Sequence, residues 1–244
     1  MAEIDIDDIE RVPGIEIFTG NKLRLDIEYI AQLKPRMCMA HIDNYISRPA
    51  NKLFLITGLR STGKTVLQKQ AINRLSQADF DASVRLNIAD GCDIEFSEVI
   101  DLCFFLYEKG FQWFFIDEAT EASNFATEIN RLADTLACYG CHILLTGAKS
   151  LAMSLARRHI EGRYEEIHTT VIPYCEWNAL LGHHQDNGFL DYIRYGGILD
   201  SVGFPASHAY AAHQKYLLVN THSIEYYTYS SIALNLQNSI AKYA

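Results

Sequence analysis

Gly58, Gly63, Lys64 and Thr65 fill the pattern G-x-x-x-x-G-K-[ST] within the stretch GLRSTGKT. Glycines at this spacing let the backbone wrap an anion with its N–H groups, and a helix starting at the end of the loop turns its positive terminus to the same anion. The lysine then reaches the β- and γ-phosphates of a nucleotide, and the threonine hydroxyl meets its Mg²⁺. The surroundings suit the chemistry: an apolar run over 53–56 precedes the loop and a helical pattern over 66–78 follows it. The competing reading is a glycine turn bearing a surface lysine. The spacing predicts a phosphate site formed by Gly58, Arg60, Ser61, Thr62, Gly63, Lys64, Thr65 and Val66, taking ATP or ADP with Mg²⁺.

A second constellation follows 53 residues after Lys64, where WFFIDE places Asp117 and Glu118 at the tip of an apolar strand. Asp117, with Thr65, is the candidate metal ligand, and Glu118 the group that polarises the attacking water. Acidic residues also end strands for no catalytic reason. HILLTGAKS is another buried strand ending in Thr146, whose hydroxyl, beside the strand of Asp117, is placed to orient that water; Lys149 and Ser150 share the edge. A polar turn explains these residues equally well. In LARRHIEGRYEEI, Arg157 and Arg158 suit a helix C-terminus. Arg163 stands directly between Gly162 and a strand and is the candidate for neutralising transition-state charge, from its own chain or in a neighbouring subunit.

The elements that must position these residues alternate. Apolar or alternating strands fall at 53–56, 83–88, 111–116, 142–145 and 164–171, and helical patterns at 66–78, 96–108, 125–138 and 151–158. Strands this apolar are buried on both faces. The expected fold is a three-layer α/β/α unit with a five-stranded, mainly parallel sheet over 49–172. Residues 1–48 form an N-terminal segment with helices interrupted at Pro35, and the segment from Ile15 to Leu25 is a candidate contributor to a base pocket. Residues 173–244 read as a small helical lid or appendage, with helices over 176–181, 188–195, 208–219 and 226–242.

The 244 residues carry a formal net charge of −9, which gives no support to broad nucleic-acid binding. No apolar run reaches membrane-spanning length, and the acidic start MAEIDIDDIE lacks a secretory pattern, so a cytoplasmic location is expected. Cys138 and Cys141 have the spacing of half a zinc site, without a second ligand pair in sequence to complete it, so reduced structural cysteines are the better reading.

Taken in order, these motifs make the chain resemble the AAA+ ATPases over residues 45–205. It looks most like a prokaryotic subfamily whose ATPase domain often precedes a C-terminal domain of unknown function. ITGLRSTGKT looks like the Walker A segment, including Arg60; FFIDEAT like Walker B; and ILLTGAKS like the sensor strand, with Ala148 departing from the usual TGS. EGRYEEI resembles the Gly-Arg pair before the last core strand, with Arg163 in the place of the family arginine. VIPYCEWNALL is similar to a proline-led element, with Glu176 and Trp177 in shifted order, and YGGILDSVGFP to a Gly-Gly-x-Pro turn. Arg194 is a weak counterpart of the second sensor arginine. The resemblance implies a P-loop NTPase fold, a homo-oligomer with an arginine supplied between subunits, and an unknown protein partner or downstream domain.

Two functions suit these residues: an ATPase coupling nucleotide state to conformational change or assembly, which needs Glu118, and a nucleotide-dependent switch with little hydrolysis. A small-molecule kinase ranks below both, because an arginine-rich lid is missing: Arg194 is the only arginine beyond Arg163.

Overall fold

The computed structural model describes residues 12–48, 51–181, 189 and 192. Six strands, β1 (Ile15–Phe18), β2 (Leu53–Gly58), β3 (Ser83–Ile88), β4 (Trp113–Asp117), β5 (His142–Gly147) and β6 (Tyr164–Thr169), form one sheet in the order β1-β3-β4-β5-β2-β6. β2 to β6 run parallel, and β1 pairs antiparallel with β3. The sheet is therefore one strand wider than the sequence predicts. The extra strand, Ile-Glu-Ile-Phe, is too short for its alternation to register; its pairing, Ile15 opposite Ile88 and Ile17 opposite Leu86, supplies what periodicity does not.

Every residue of β2 and of β4 is buried, as expected of strands covered on both faces. Successive side chains of β2 enter opposite cores. Leu53 and Leu55 pack in a cluster with Phe96, Val99 and Ile100 of α5 (Phe96–Glu108), Ile129 of α6 (Phe125–Leu132) and Met153 of α7 (Ser150–His159). Phe54 and Ile56 pack with Leu23 of α1 (Gly20–Ile27), Ile42 of α2 (Met39–Ile46) and Leu67 of α3 (Lys64–Ile72). The result is the expected three-layer unit.

Two predicted helices are broken. The pattern over 66–78 ends as α3 at Ile72 and resumes as α4 (Gln77–Asp81), whose first turn is capped by the Ser76 hydroxyl accepting from the Asp79 N–H at 3.2 Å. The pattern over 125–138 leaves the α-form after Leu132 and finishes as a π-turn, Ala133–Ala137. Beyond the sheet, α8 (Tyr174–Leu181) begins the C-terminal segment. The sequence-predicted helices at 208–219 and 226–242, most of that at 188–195, the turn leading to Pro205, and Arg194 lie outside the described residues.

Because β5 lies between β2 and β4, the carboxyl ends of all three open on one edge. The register sets Thr146 beside Ile56 and Leu145 beside Ile116. The phosphate-loop sequence, Asp117 and Thr146 thus converge where ligands of open parallel sheets bind.

Gly58 closes this edge against β6. Its φ is +140°, and a Cβ there would stand 2.2 Å from the Thr169 carbonyl oxygen. That oxygen cannot retreat without parting β2 from β6. Gly58→Ala is expected to lose about 2 kcal/mol or more, lowering the melting temperature by roughly 4–8 °C. An unchanged melting curve would refute this account of the position.

Candidate active site

The loop between β2 and α3 is shaped by backbone that side chains rarely adopt. Gly63, the residue before α3, is left-handed at φ +86°, and Ser61 is left-handed at φ +64°. The Thr62 hydroxyl donates to the Leu59 carbonyl at 2.7 Å and touches the Thr169 hydroxyl, itself bonded to the Thr57 carbonyl at 2.9 Å. A second fastening comes from outside. Arg36 donates to the carbonyls of Thr62 (3.0 Å) and Thr170 (3.3 Å) and pairs with Glu176 of α8 at 3.0 Å. Glu176 also accepts from the Met37 N–H at 2.7 Å. One buried ion pair therefore joins the loop, the end of β6, the segment before α2, and α8.

Lys64 is 3 % exposed. Its ammonium donates to the Leu59 carbonyl at 3.0 Å and stands 3.7 Å from Glu118 Oε1. Burial holds its pKa below the ordinary lysine value, against the opposing pull of Glu118 and Asp117.

Asp117 is 2 % exposed, and both its oxygens are engaged. Oδ1 accepts from Thr146 at 2.6 Å and from Thr65 at 3.3 Å; Oδ2 accepts from Arg85 of β3 at 2.6 Å. Arg85, equally buried, is itself oriented by Asp26 (3.1 Å) and Gln68 (3.2 Å), and Asp26 is paired with Lys69 at 2.7 Å. The Thr146 hydroxyl also accepts from the backbone N–H of Glu118 at 2.9 Å. Thr146 thus touches both members of the acidic pair from behind.

Glu118 itself sits at φ +52°, ψ +40°, a left-handed conformation unusual for a residue with a side chain. Its Oε2 is buried and finds no hydrogen-bond partner in the protein. Burial raises its pKa above the ordinary glutamate value, Lys64 opposing and Asp117 reinforcing the shift.

These groups edge a cavity of about 560 Å³. Ser61 to Val66 and Glu118 line it, and Tyr29, Leu33, Gln70, Ile172 and Leu181 are among the other residues that do. The segment from Ile15 to Leu25 is absent from this lining and builds β1 and α1 instead. Thr65 on the cavity wall and Asp117 behind it, 3.3 Å apart, are hard oxygen donors of the kind that would suit Mg²⁺.

Other sequence-predicted residues stand elsewhere. Arg60 pairs with Asp90 (2.8 Å) and Glu121 (2.6 Å) and is not on the cavity wall, and Lys149 pairs with the same Glu121 at 3.1 Å. Arg157 pairs with Glu166 of β6. Arg163 bonds Asp134 and Asn130 at the start of β6, where Tyr164 pairs with Leu53, so it lies at the opposite edge of the sheet from Gly58. Cys138 is exposed and Cys141 buried. Among the described residues no group of three or more His, Cys, Asp or Glu could hold a metal ion, and no helix is long and apolar enough to cross a membrane.

Sequence reasoning missed Arg36, Arg85 and the partnership of Glu176. Arg85 carried a signal: an arginine inside an otherwise buried strand requires a buried anion. Removing it strands Asp117. Arg85→Met is expected to destabilise the chain by about 3–5 kcal/mol. The double variant Arg85→Met/Asp117→Asn should recover much of the loss in urea unfolding; additive losses would show that the two residues act independently.

The AAA domain family matches residues 50–177, more than half of the chain. No curated protein sequence matches it. Among solved structures, the S. cerevisiae Hsp104:casein complex in its extended conformation superposes at a TM-score of 0.50 and 12 % identity, covering 78 % of this chain and 40 % of that one. AMPPCP-bound DnaA from Aquifex aeolicus gives 0.38 and 14 % identity over 85 % and 64 % of the two chains. The chain therefore spans less than half the length of the Hsp104 chain. With the family match spanning the phosphate loop, Asp117, Glu118, Thr146 and Arg163, the chain belongs to the AAA domain family and has the fold of an AAA+ P-loop ATPase.

Proposed function

We propose that the chain binds ATP with Mg²⁺ and hydrolyses it, coupling nucleotide state to conformational change or assembly. The observation that supports this best is Glu118: a carboxylate fixed in left-handed backbone, its Oε2 unpartnered, 3.7 Å from the Lys64 ammonium on one cavity wall. A nucleotide binder has no use for that arrangement.

On this reading the N–H groups of the loop from Ser61 to Thr65 receive the β-phosphate at the start of α3. Lys64 exchanges the Leu59 carbonyl for phosphate oxygens. Thr65 and Asp117 hold the metal, which when bound neutralises charge on the β- and γ-oxygens. Glu118 polarises the attacking water, its free Oε2 accepting the proton. Thr146 fixes the Glu118 peptide and the Asp117 carboxylate together, a positioning role in place of the direct hold on water that the sequence suggests. Arg163 acts in a neighbouring subunit of a homo-oligomer. The protein partner or downstream domain that receives the motion is unidentified, and a cytoplasmic setting accords with the free cysteines among the described residues.

The switch reading draws support from one observation. Arg60 is tied to Asp90 and Glu121, Arg36 to Glu176, and Arg163 stands at the far edge. Arg36 lines the cavity, but its guanidinium is committed to Glu176 and to the Thr62 and Thr170 carbonyls, so on this reading none of the three serves the phosphates within one chain, and P-loop hydrolysis without an arginine is slower by ~10³-fold or more.

Steady-state ATP hydrolysis over a protein concentration series separates the two. Turnover per chain should rise with concentration, vanish in Glu118→Gln and Lys64→Ala, and fall at least ~10²-fold in Arg163→Ala at a concentration that saturates the wild type. Absence of turnover at all concentrations, with nucleotide binding lost in Lys64→Ala, would establish the switch.

The acid limb of kcat/KM offers a separate check, because it reports the free enzyme. With its pKa raised by burial, Glu118 becomes protonated, and inactive as a base, at a pH above the ordinary glutamate value of 4.5. The limb should therefore lie above 4.5. A limb at or below that value would remove Glu118 from the role.

A further inference from the structure

The cavity extends past the phosphate loop along α3, where Val66 and Gln70 stand one turn apart on the same helix face. Gln70 lies six positions after Lys64, about 9 Å further along the helix at 1.5 Å per residue. Beside the polar Lys34, Arg36 and Thr170, the lining includes the apolar Leu33, Val66, Ile172, Leu180 and Leu181. A flat, mostly apolar group belongs there, and on the nucleotide reading that group is the base.

Gln70 is a polar member of the same lining. It is 5 % exposed, and its Nε2 donates to the Leu33 carbonyl at 3.3 Å. That contact fixes the amide's orientation, because a carbonyl accepts only from the nitrogen. The oxygen is then left over: Oε1 is buried and has no hydrogen-bond partner in the protein. Leaving a buried amide oxygen unpaired is unfavourable, so a residue on the wall of a ligand cavity with this one deficit has a ligand donor to gain.

We propose that Gln70 reads the base, its Oε1 accepting a hydrogen bond from the 6-amino group of adenine. The inference rests on the nucleotide reading above and adds the choice of nucleotide to it. Adenine carries a single donor group on its heterocycle edge, the 6-amino group, and this acceptor takes one of its two hydrogens. Guanine brings N1–H and a 2-amino group as donors and O6 as an acceptor, and the apolar walls would leave part of that edge unpaired. One amide N–H is held by the Leu33 carbonyl, so at most the other could serve O6, and Oε1 cannot satisfy both guanine donors. Gln70 is thus a specificity-determining residue with no part in the chemical step.

The test uses calorimetric titration of the full chain with ADP, with purine riboside 5′-diphosphate (ADP lacking the 6-amino group), and with GDP. The unaltered chain should bind ADP roughly five- to tenfold more tightly than the 6-desamino analogue, the range expected for one hydrogen bond in a dry site. GDP should bind more weakly than ADP. In Gln70→Met, which keeps the side chain's length without its amide, the preference for ADP over the analogue should fall to about one. Equal binding of ADP and the analogue by the unaltered chain overturns the proposal without any variant. So does a preference for GDP, or an ADP preference that survives in Gln70→Met. Failure of all three nucleotides to bind the unaltered chain defeats the nucleotide reading itself, a result distinct from tight binding without discrimination.

Discussion

One buried carboxylate organises this molecule. Asp117 ends β4 at 2 % exposure, and a charge so placed requires partners on every side. Three elements supply them: Thr65 from α3, Thr146 from β5 and Arg85 from β3. Each of those partners is fixed by meeting it. The sheet order matters for this reason, because only with β5 between β2 and β4, and β3 beyond, do these side chains reach a single point. The same charge passes its constraint outward through Arg85 to Asp26 and Lys69, tying α1 and α3 to the strands. What orients the site also braces the face of the sheet on which α1 to α3 pack.

A second constraint works on the cavity's rim. The loop carries left-handed residues and few contacts of its own, and its Thr62 carbonyl is held by Arg36, whose other partner is Glu176 of α8. Lys34, two residues earlier, donates to the Ala179 carbonyl of the same helix at 3.1 Å. The segment before α2 and the start of the C-terminal segment are thus joined to each other and to the loop at once. A change of loop geometry on binding phosphate would be felt by α8 through two side chains, without a shift of the sheet.

The sequence made the phosphate loop, Asp117, Glu118 and Thr146 legible because each is a polar interruption of an apolar strand at its carboxyl end. Their convergence followed once the strands were read as parallel. Short elements were less visible. β1 has four residues, two of them only partly supported by burial, so its identity depends on pairing with β3 that no local pattern announces. After Leu132 the helix changes only its hydrogen bonding, which periodicity does not report, and after Ile72 it is interrupted by a turn that reaches extended backbone at Ser76 (ψ 161°). Arg60 shows a different failure. A cation inside a phosphate loop suggests an anion ligand, yet Asp90 and Glu121, distant in sequence, claim it first. Charges are assigned by three-dimensional competition, and a motif names only one competitor.

The two unsatisfied features of the phosphate end are related through Lys64. In the chain alone its ammonium is shared between the Leu59 carbonyl and Glu118 Oε1, while Glu118 Oε2 lacks a donor. On the proposed reading, arriving phosphate draws the ammonium away. Glu118 then loses its nearest cation and keeps its desolvation, so the carboxylate's demand for a donor increases at the moment when the γ-phosphate comes to lie beside it. The left-handed backbone and the Thr146 contact hold the peptide from which that side chain reaches the cavity wall. A water molecule is the donor small enough to answer it, and its oxygen then faces the phosphorus. Nucleotide binding, by taking the lysine, prepares the base. On that reading the same event adds negative charge to a site near which Arg36 and Arg60, among the described residues, are already paired. The energetic case for an arginine from a neighbouring subunit therefore comes from the local charge balance as well as from the position of Arg163.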